Sequence, residues 1–333
     1  MAGTAYQTAA YQDRRAYHAL DYTCAVARIA ALETRLLGRG DYEKLLGAAT
    51  AADAARLLEQ FGYKASERFG DLLSDALSAL FTLTQSLGGE DFLKIERLKY
   101  DYHNLKALVK KELTASEEAG DDLLSDLGGV SVAAMKSAVI NREYRGLTDN
   151  MKRAAAQVYD QYARLADVQL TDILFDRALL GDMLMYAEKQ PEPKILEIIK
   201  TRIDLYNIQT FVRVRKMAAA DRAREFMRRA VAAGGKIPPG FYLGNIAAPP
   251  DGEAAVFERT AYASAFAAGE NLERSLDNLL MEQVKTARRG AFGLAPVAAY
   301  FWLKENEIRN LRIILTCKNA GIDADAVKRQ LRG

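Results

Sequence analysis

The polar residues best placed to do chemistry recur at a fixed interval along the chain. An acidic residue is followed three positions later by Asn in "DYHNLKAL", "DLYNIQTF" and "EIRNLRII", and each segment begins 103 residues after the previous one. The pairs are Asp101/Asn104, Asp204/Asn207 and Glu307/Asn310. An acid at position i and an Asn at i+3 share one face of a helix. Because Asn competes for backbone hydrogen bonds inside helices, its recurrence indicates a repeated tertiary environment.

Two roles are open for these six residues. They could bond the ends of neighbouring helices and fix the packing register of a repeat, or they could line a central opening as a ring of polar groups. Apolar residues at the same offset, spaced by three, four and seven, predict that each pair lies on a helix beside its apolar face. These positions are Phe92/Ile195/Ala298, Ile95/Ile198/Phe301, Tyr102/Leu205/Ile308, Leu105/Ile208/Leu311, Leu108/Phe211/Ile314 and Val109/Val212/Leu315.

A second candidate is the acidic cluster "GDDLLSD", which contains Asp121, Asp122 and Asp126. Paired aspartates in an all-α enzyme can hold magnesium for pyrophosphate chemistry. The cluster occurs once, however, and lies between Gly120 and Gly128, which favours a polar loop with a helix cap. A magnesium-dependent enzyme is therefore the least favoured interpretation.

The remaining chemistry-bearing residues do not form a catalytic pattern. His18 and His103 have no Cys or carboxylate at metal-ligand spacing, and Cys24 and Cys317 lie far apart. The sequence has no phosphate-binding GxxxxGK[ST] loop, no GxGxxG after a strand and no GxSxG elbow. We therefore expect no metal, no cofactor and no enzymatic activity.

The elements that position these residues are predicted to be helices. All seven prolines follow position 190, and the preceding part of the chain is rich in good helix formers. Thr50, three residues before Asp53, predicts a helix start, and Phe61-Gly62 predicts its end. Another helix is predicted from Thr171 to the residues before Pro191. Since no segment alternates apolar and polar residues as a strand would, the predicted fold class is all-α.

Two glycine-rich breaks divide the chain into three helical repeats. The breaks are 127–132 and 234–252, and the predicted repeats are 1–126, with an N-terminal extension at 1–21, then 127–235 and 236–333. Each repeat carries one acid–Asn pair near its end. A period near 103 residues is longer than in open solenoids, which favours a closed body of three units.

Charge and hydropathy limit the partners. The net charge of +2, from 46 basic and 44 acidic residues, gives no global argument for nucleic acid, and the local basic patch at Arg224–Ala230 is better interpreted as a solvated helix face. Uncharged runs reach only 14 residues, whereas a membrane span needs about 20 apolar ones. The N-terminus has no basic start followed by an apolar core, so no secretory signal is predicted. We expect a protein that contacts a membrane only through a partner.

Four segments resemble one protein family over nearly the whole chain. They are Ala27–Tyr63, with its "RIAALETRLL" opening, Arg97–Leu113, Arg202–Lys216 and Lys304–Arg332. In their order and spacing these segments resemble the C subunit of V/A-type ATP synthases, which is the counterpart of the d subunit of the eukaryotic vacuolar ATPase.

The resemblance implies a structure and a role. It implies a funnel-shaped body of three helical repeats related by pseudo-threefold symmetry. That body would lie on the cytoplasmic face of the membrane ring of proteolipid subunits and receive the tip of the central shaft in a socket. The chain would be a non-catalytic rotor subunit that couples shaft and ring during proton or sodium transport.

The same resemblance suggests partner contacts. The three acid–Asn pairs could face a shared socket, with Arg309 and Arg312 meeting acidic groups of the shaft. The apolar segments Gly290–Trp302 and Ile237–Ile246 could contact the ring or could equally form core. The alternative function is a helical-repeat scaffold for another protein partner.

Overall fold

The computed structural model describes residues 22–64, 66, 68–114, 123–217, 220–247, 252–267, 271–290 and 293–333. Over these residues the regular structure is helical and includes no β-strand, which confirms the predicted all-α class. The chain divides into two compact units, one formed by Met1–Glu90 with Ala268–Gly333 and the other by Asp91–Ala267. The three-repeat division stays a prediction.

The first unit is built from helices at both ends of the sequence. Its helices are α1 (Thr23–Glu33), α2 (Arg39–Gly47), α3 (Ala51–Gln60), α4 (Phe69–Ser86), α13 (Leu272–Arg288), α14 (Ala295–Asn319) and α15 (Ala324–Lys328). Helix α14 is central, because α1, α3, α4, α13 and α15 all pack against it. Its first two turns are buried throughout, and Phe301 meets Phe81 edge-on at 5.1 Å between ring centroids.

The second unit begins with the long helix α5 (Glu90–Thr114), whose first residue is the last residue of the first unit before the boundary. Its other helices are α6 (Val132–Asn141), α7 (Asp149–Leu165), α8 (Gln169–Glu188), α9 (Pro193–Arg215), α10 (Ala220–Ala230), α11 (Pro239–Asn245) and α12 (Glu253–Phe257). Helix α8 packs against α7, α9 and α10. An aromatic cluster of Phe211, Tyr242, Phe257 and Phe266 fills the core beneath α11 and α12.

Local sequence signals account for the helix ends. Helix α3 begins where predicted, because the Thr50 hydroxyl accepts a hydrogen bond from the Asp53 N–H at 3.1 Å. It ends before Gly62, whose φ of +86° suits a residue without a side chain. Helix α8 begins two residues before the predicted Thr171 and ends at Glu188, ahead of Pro191. Such shifts of one or two residues are usual at helix ends.

The three acid–Asn pairs lie within the long helices α5, α9 and α14, as their apolar periodicity predicted. The apolar positions shared by the three segments are all buried, except Leu108 and Val212, which are half-buried. The segment Ile237–Ile246 has Ile237, Tyr242 and Ile246 in the core, and Ala295–Trp302 is buried throughout. Both apolar segments therefore contribute to the core of this chain.

Candidate functional site

The first acid–Asn pair holds the connector between α5 and α6. The Asp101 carboxylate accepts hydrogen bonds from the Gly129 N–H at 3.0 Å and the Val130 N–H at 2.9 Å. The Asn104 side chain binds both backbone groups of Ser125, donating to its carbonyl at 2.8 Å and accepting from its N–H at 2.9 Å. Four backbone groups of one loop are thus satisfied by two side chains. We use the word clamp for an acid and the Asn three residues later when both bind backbone groups outside their own helix.

The second pair forms the same clamp on the segment before α11. The Asp204 carboxylate accepts from the Lys236 N–H at 2.9 Å and the Ile237 N–H at 3.1 Å. Asn207 donates to the Ala232 carbonyl and accepts from the Ala232 N–H, both at 2.8 Å. In both clamps, a residue bound by the acid lies five positions after the residue bound by the Asn. These residues are Val130 and Ser125 in the first clamp, and Ile237 and Ala232 in the second.

The third pair holds two segments that are distant in sequence. Asn310 donates to the Arg332 carbonyl at 2.8 Å and accepts from its N–H at 3.1 Å. The Glu307 carboxylate accepts from the Leu37 N–H at 2.7 Å, and Lys304 also donates to it. The first unit is therefore joined across 270 residues of sequence by one buried carboxylate.

Each carboxylate is attached at an equivalent point of the fold. Val130, Ile237 and Leu37 each directly precede the N-cap residue of a short helix, which is α6, α11 and α2 respectively. The backbone N–H before an N-cap is not used by the helix that follows. An acid at this point therefore fixes where the next helix begins relative to the long helix that carries the acid.

The clamp residues are almost completely buried. Asn104, Asp204 and Asn207 are 0% exposed, and the other three clamp side chains are at most 4% exposed. Burial raises the pKa of the Asp101 and Asp204 carboxyls, although the backbone N–H donors act in the opposite direction. All six side chains are thus directed at groups of their own chain.

Tyrosines that the sequence analysis did not single out complete two of the clamps. The Tyr262 hydroxyl donates to Asp204 at 2.7 Å, and the Tyr63 hydroxyl donates to Glu307 at 2.6 Å. Tyr63 follows Leu37 by 26 residues, and Tyr262 follows Ile237 by 25. Alignment of the segment that begins at Leu37 with the segment that begins at Ile237 would therefore have revealed the two tyrosines. Their phenols have raised pKa values, caused first by burial, and remain neutral donors.

A glycine lies against the carboxylate in each of the two clamps that use Asp. A Cβ on Gly128 would lie 2.3 Å from Asp101 Oδ1, and a Cβ on Gly235 would lie 2.1 Å from Asp204 Oδ1. Each glycine lies two residues before the residue that precedes the N-cap, which is Val130 or Ile237. The corresponding position before Leu37 in the third clamp is Arg35. The third clamp uses Glu instead of Asp. Glu is one methylene longer than Asp, so its carboxylate extends farther from the helix that carries it.

The two predicted arginines lie beside the third clamp. Arg309 is half exposed and lies 3.9 Å from Asp277, an ion pair at the limit of contact. Arg312 is exposed and has no hydrogen bond or ion pair within the described residues. A shaft-facing role for either residue stays a prediction.

The acidic cluster predicted from the sequence lies partly outside the described residues. Asp121 and Asp122 belong to the part that is not described, while Asp126 lies in the turn that the first clamp holds. No group of His, Cys, Asp or Glu in the described part of the chain is arranged to hold a metal ion. Among the helices that the structure describes, none has the length and hydropathy to cross a bilayer.

Comparison with known proteins defines the class. Residues 25–330 match the model of the ATP synthase (C/AC39) subunit family, so this chain belongs to that family. As a member, it is a non-catalytic subunit of a V/A-type ATP synthase.

Relatives with similar sequences have corresponding names. The chain is 26% identical to the C subunit of the V-type sodium ATPase of Enterococcus hirae, over 90% of this chain and 94% of that protein. It is 23% identical to the C subunit of the A-type ATP synthase of Haloferax volcanii, over 92% of this chain and 96% of that protein. With the corresponding protein of Methanosarcina barkeri the identity is 24%, over 96% and 95% respectively.

The contact between glycine and acid predicts non-additive stability changes. Gly128→Ala should cost about 1–3 kcal/mol of unfolding free energy, because the new Cβ overlaps the Asp101 carboxylate. Asp101→Ala should cost about 1–3 kcal/mol in total, because it removes the two hydrogen bonds to the part-buried N–H groups of Gly129 and Val130. The loss of unfolding free energy in the double variant should be smaller than the sum of the two single losses by about 1 kcal/mol or more, since removal of the carboxylate removes the overlap. Urea denaturation of the full chain measures all three.

Gly244→Ala is the matched control for this cycle. A Cβ at Gly244 meets no atom within 4 Å, and the residue lies in α11, so this change should be neutral or slightly stabilising. Strict additivity of Gly128→Ala and Asp101→Ala would contradict the proposed overlap.

The Asp204 pKa predicts an unusual pH dependence. Burial raises this pKa above the ordinary value of 3.8, so the folded chain binds the proton more tightly than the unfolded chain does. Stability from this group must then increase as the pH falls through the folded pKa. The unfolding free energy of the wild type minus that of Asp204→Asn should therefore increase from pH about 7 to pH about 4. A difference that decreases would show that the hydrogen-bond donors outweigh burial.

Proposed function

We propose that this chain is the rotor-coupling subunit of a V/A-type ATPase, which connects the central shaft to the membrane ring of proteolipid subunits. The observation that carries this proposal is the family match, which extends along almost the entire chain. The subunit would act on the cytoplasmic face of the membrane, without catalysis, during proton or sodium transport. The proposed body has three helical repeats, at 1–126, 127–235 and 236–333, arranged as a funnel.

The clamps suit a part that transmits torque. An exposed ion pair contributes only about 0–1 kcal/mol and weakens with salt, so it resists shear poorly. A buried carboxylate that accepts two or three hydrogen bonds is costly to disrupt, because its partners would be left unsatisfied. We propose that the three acids fix the register between each long helix and the start of a short helix, and that each Asn anchors one further backbone residue to the same long helix. This role does not require them to line the socket.

The shaft contact is proposed for the exposed part of α14 next to the third clamp. Arg312 offers a guanidinium without a partner among the described residues, and Arg309 is held only by a 3.9 Å pair with Asp277. Charge complementarity at such a surface would guide association and set orientation. Ile237, Tyr242, Ile246 and Ala295–Trp302 are core and are not proposed for the ring contact.

The test is purification of the tagged chain from its native membranes in gentle detergent, followed by mass spectrometry. We expect shaft subunits and the proteolipid ring to accompany the chain in near-stoichiometric amounts. Arg312→Glu should weaken retention of the shaft, increasingly so at low salt, where charge repulsion is least screened. Arg145→Glu, a reversal at another exposed arginine, is the control.

A chain that remains alone while the ATPase is intact in the same membranes would contradict the rotor-coupling proposal. The helical-repeat scaffold with a different protein partner would then be the better account. Equal retention by Arg312→Glu and wild type would remove only the proposed shaft surface.

A further inference from the structure

An open pocket in the first unit lies beside the third clamp. It has a volume of about 320 Å³ and lies between α1, α4 and α14. Its apolar walls come from Leu32, Phe61, Leu72, Ala76, Ala79, Leu80, Leu83 and Tyr300. Ala76 and Ala79 are small residues on the open side of α4, and they leave the space that larger side chains would fill.

The rim of this pocket supplies unused hydrogen-bond donors. Arg35 and Lys64 are both exposed, and neither side chain has a hydrogen bond or ion pair within the described residues. The Tyr300 hydroxyl likewise has no hydrogen-bond partner there. Burial raises the Tyr300 pKa to about 12, so this phenol remains a neutral donor. Asp75 is the acid in the lining, and it is exposed.

The fourth charged group in the lining is already engaged. Lys304 donates to Glu307 and lies over the Tyr63 ring, 4.4 Å from its centroid. Tyr63 itself donates to Glu307. The pocket therefore shares a wall with the third clamp, and an occupant would touch the two side chains that hold Glu307 in place.

We propose that this pocket receives an apolar side chain flanked by a carboxylate, presented by another subunit of the same ATPase. The proposal rests on the proposed function for the identity of the complex. The volume is at the lower end for small-molecule sites and suits one or two large side chains. The apolar walls would bury the side chain, and Arg35, Lys64 and the Tyr300 hydroxyl would bind the carboxylate.

A partner side chain that is buried in such a pocket usually contributes a large share of the binding free energy, so excluding it should weaken binding. Ala79→Trp would fill the pocket from its open side and exclude the partner side chain. We expect retention of the chain in the purified ATPase to fall about tenfold or more, which corresponds to about 1.4 kcal/mol. Ser78→Trp places the same side chain on the neighbouring position outside the pocket and should leave retention unchanged. Thermal unfolding of both variants checks that each remains folded.

Photocrosslinking identifies the occupant. A benzophenone amino acid replaces Asp75 at the rim of the pocket in the full chain, within native membranes, and Ser74 on a different side of α4 serves as control. We expect a crosslink from position 75 to another ATPase subunit, at an apolar residue next to Asp or Glu, and none from position 74.

Three results would overturn the pocket proposal. The first is a crosslink from position 75 to residues of this chain itself, including residues 1–21. The second is the absence of any crosslink in an assembled ATPase. The third is retention of Ala79→Trp equal to that of the wild type. Failure of the unmodified chain to co-purify with any other part of the ATPase would instead overturn the proposed function. The two failures are therefore distinguishable.

Discussion

The structure depends on three buried carboxylates, each three residues before a buried Asn, that accept hydrogen bonds from the backbone directly before a short helix. Helices pack readily in many registers, because apolar ridges and grooves repeat every turn. A hydrogen bond to one backbone N–H has no such degeneracy. By binding Val130, Ile237 and Leu37, the three acids select one start point for α6, α11 and α2 respectively.

The energetics explain why this device uses neutral backbone donors. In a buried ion pair, the attraction between the charges must offset the free energy of desolvating both of them. Such pairs occur in this chain at the fully buried Glu96, which lies 3.1 Å from Arg202 and 2.6 Å from Lys99. The Asp101 and Asp204 carboxylates are instead bound by backbone N–H groups and so desolvate one charge each, whereas Glu307 binds both the Leu37 N–H and the charged Lys304. The glycine at position 128 or 235 permits the close approach of Asp, whereas Glu307 reaches Leu37 without one. Acid length and backbone proximity are thus matched within each clamp.

Much of this arrangement could be predicted from the sequence. Helical periodicity placed the six clamp residues on α5, α9 and α14, and Asn in the middle of a helix indicated a tertiary partner. The hydrogen-bond partners could not be predicted, because Ser125, Ala232 and Arg332 contribute only backbone groups and have no side-chain type in common. Tyr63 and Tyr262 were missed for a different reason. Their separation from the carboxylates, 244 and 58 residues respectively, does not repeat until the segments are aligned on the short helices.

Hydrogen exchange resolved to single residues tests the central claim most directly. If each acid holds one backbone segment, the amides of Leu37, Val130 and Ile237 should all exchange slowly in the wild-type chain. In Glu307→Ala the protection of Leu37 should fall about tenfold or more, while that of Val130 and Ile237, in the second unit, should be retained. Rapid exchange of these amides in the wild type, or equal loss at all three in Glu307→Ala, would contradict the account.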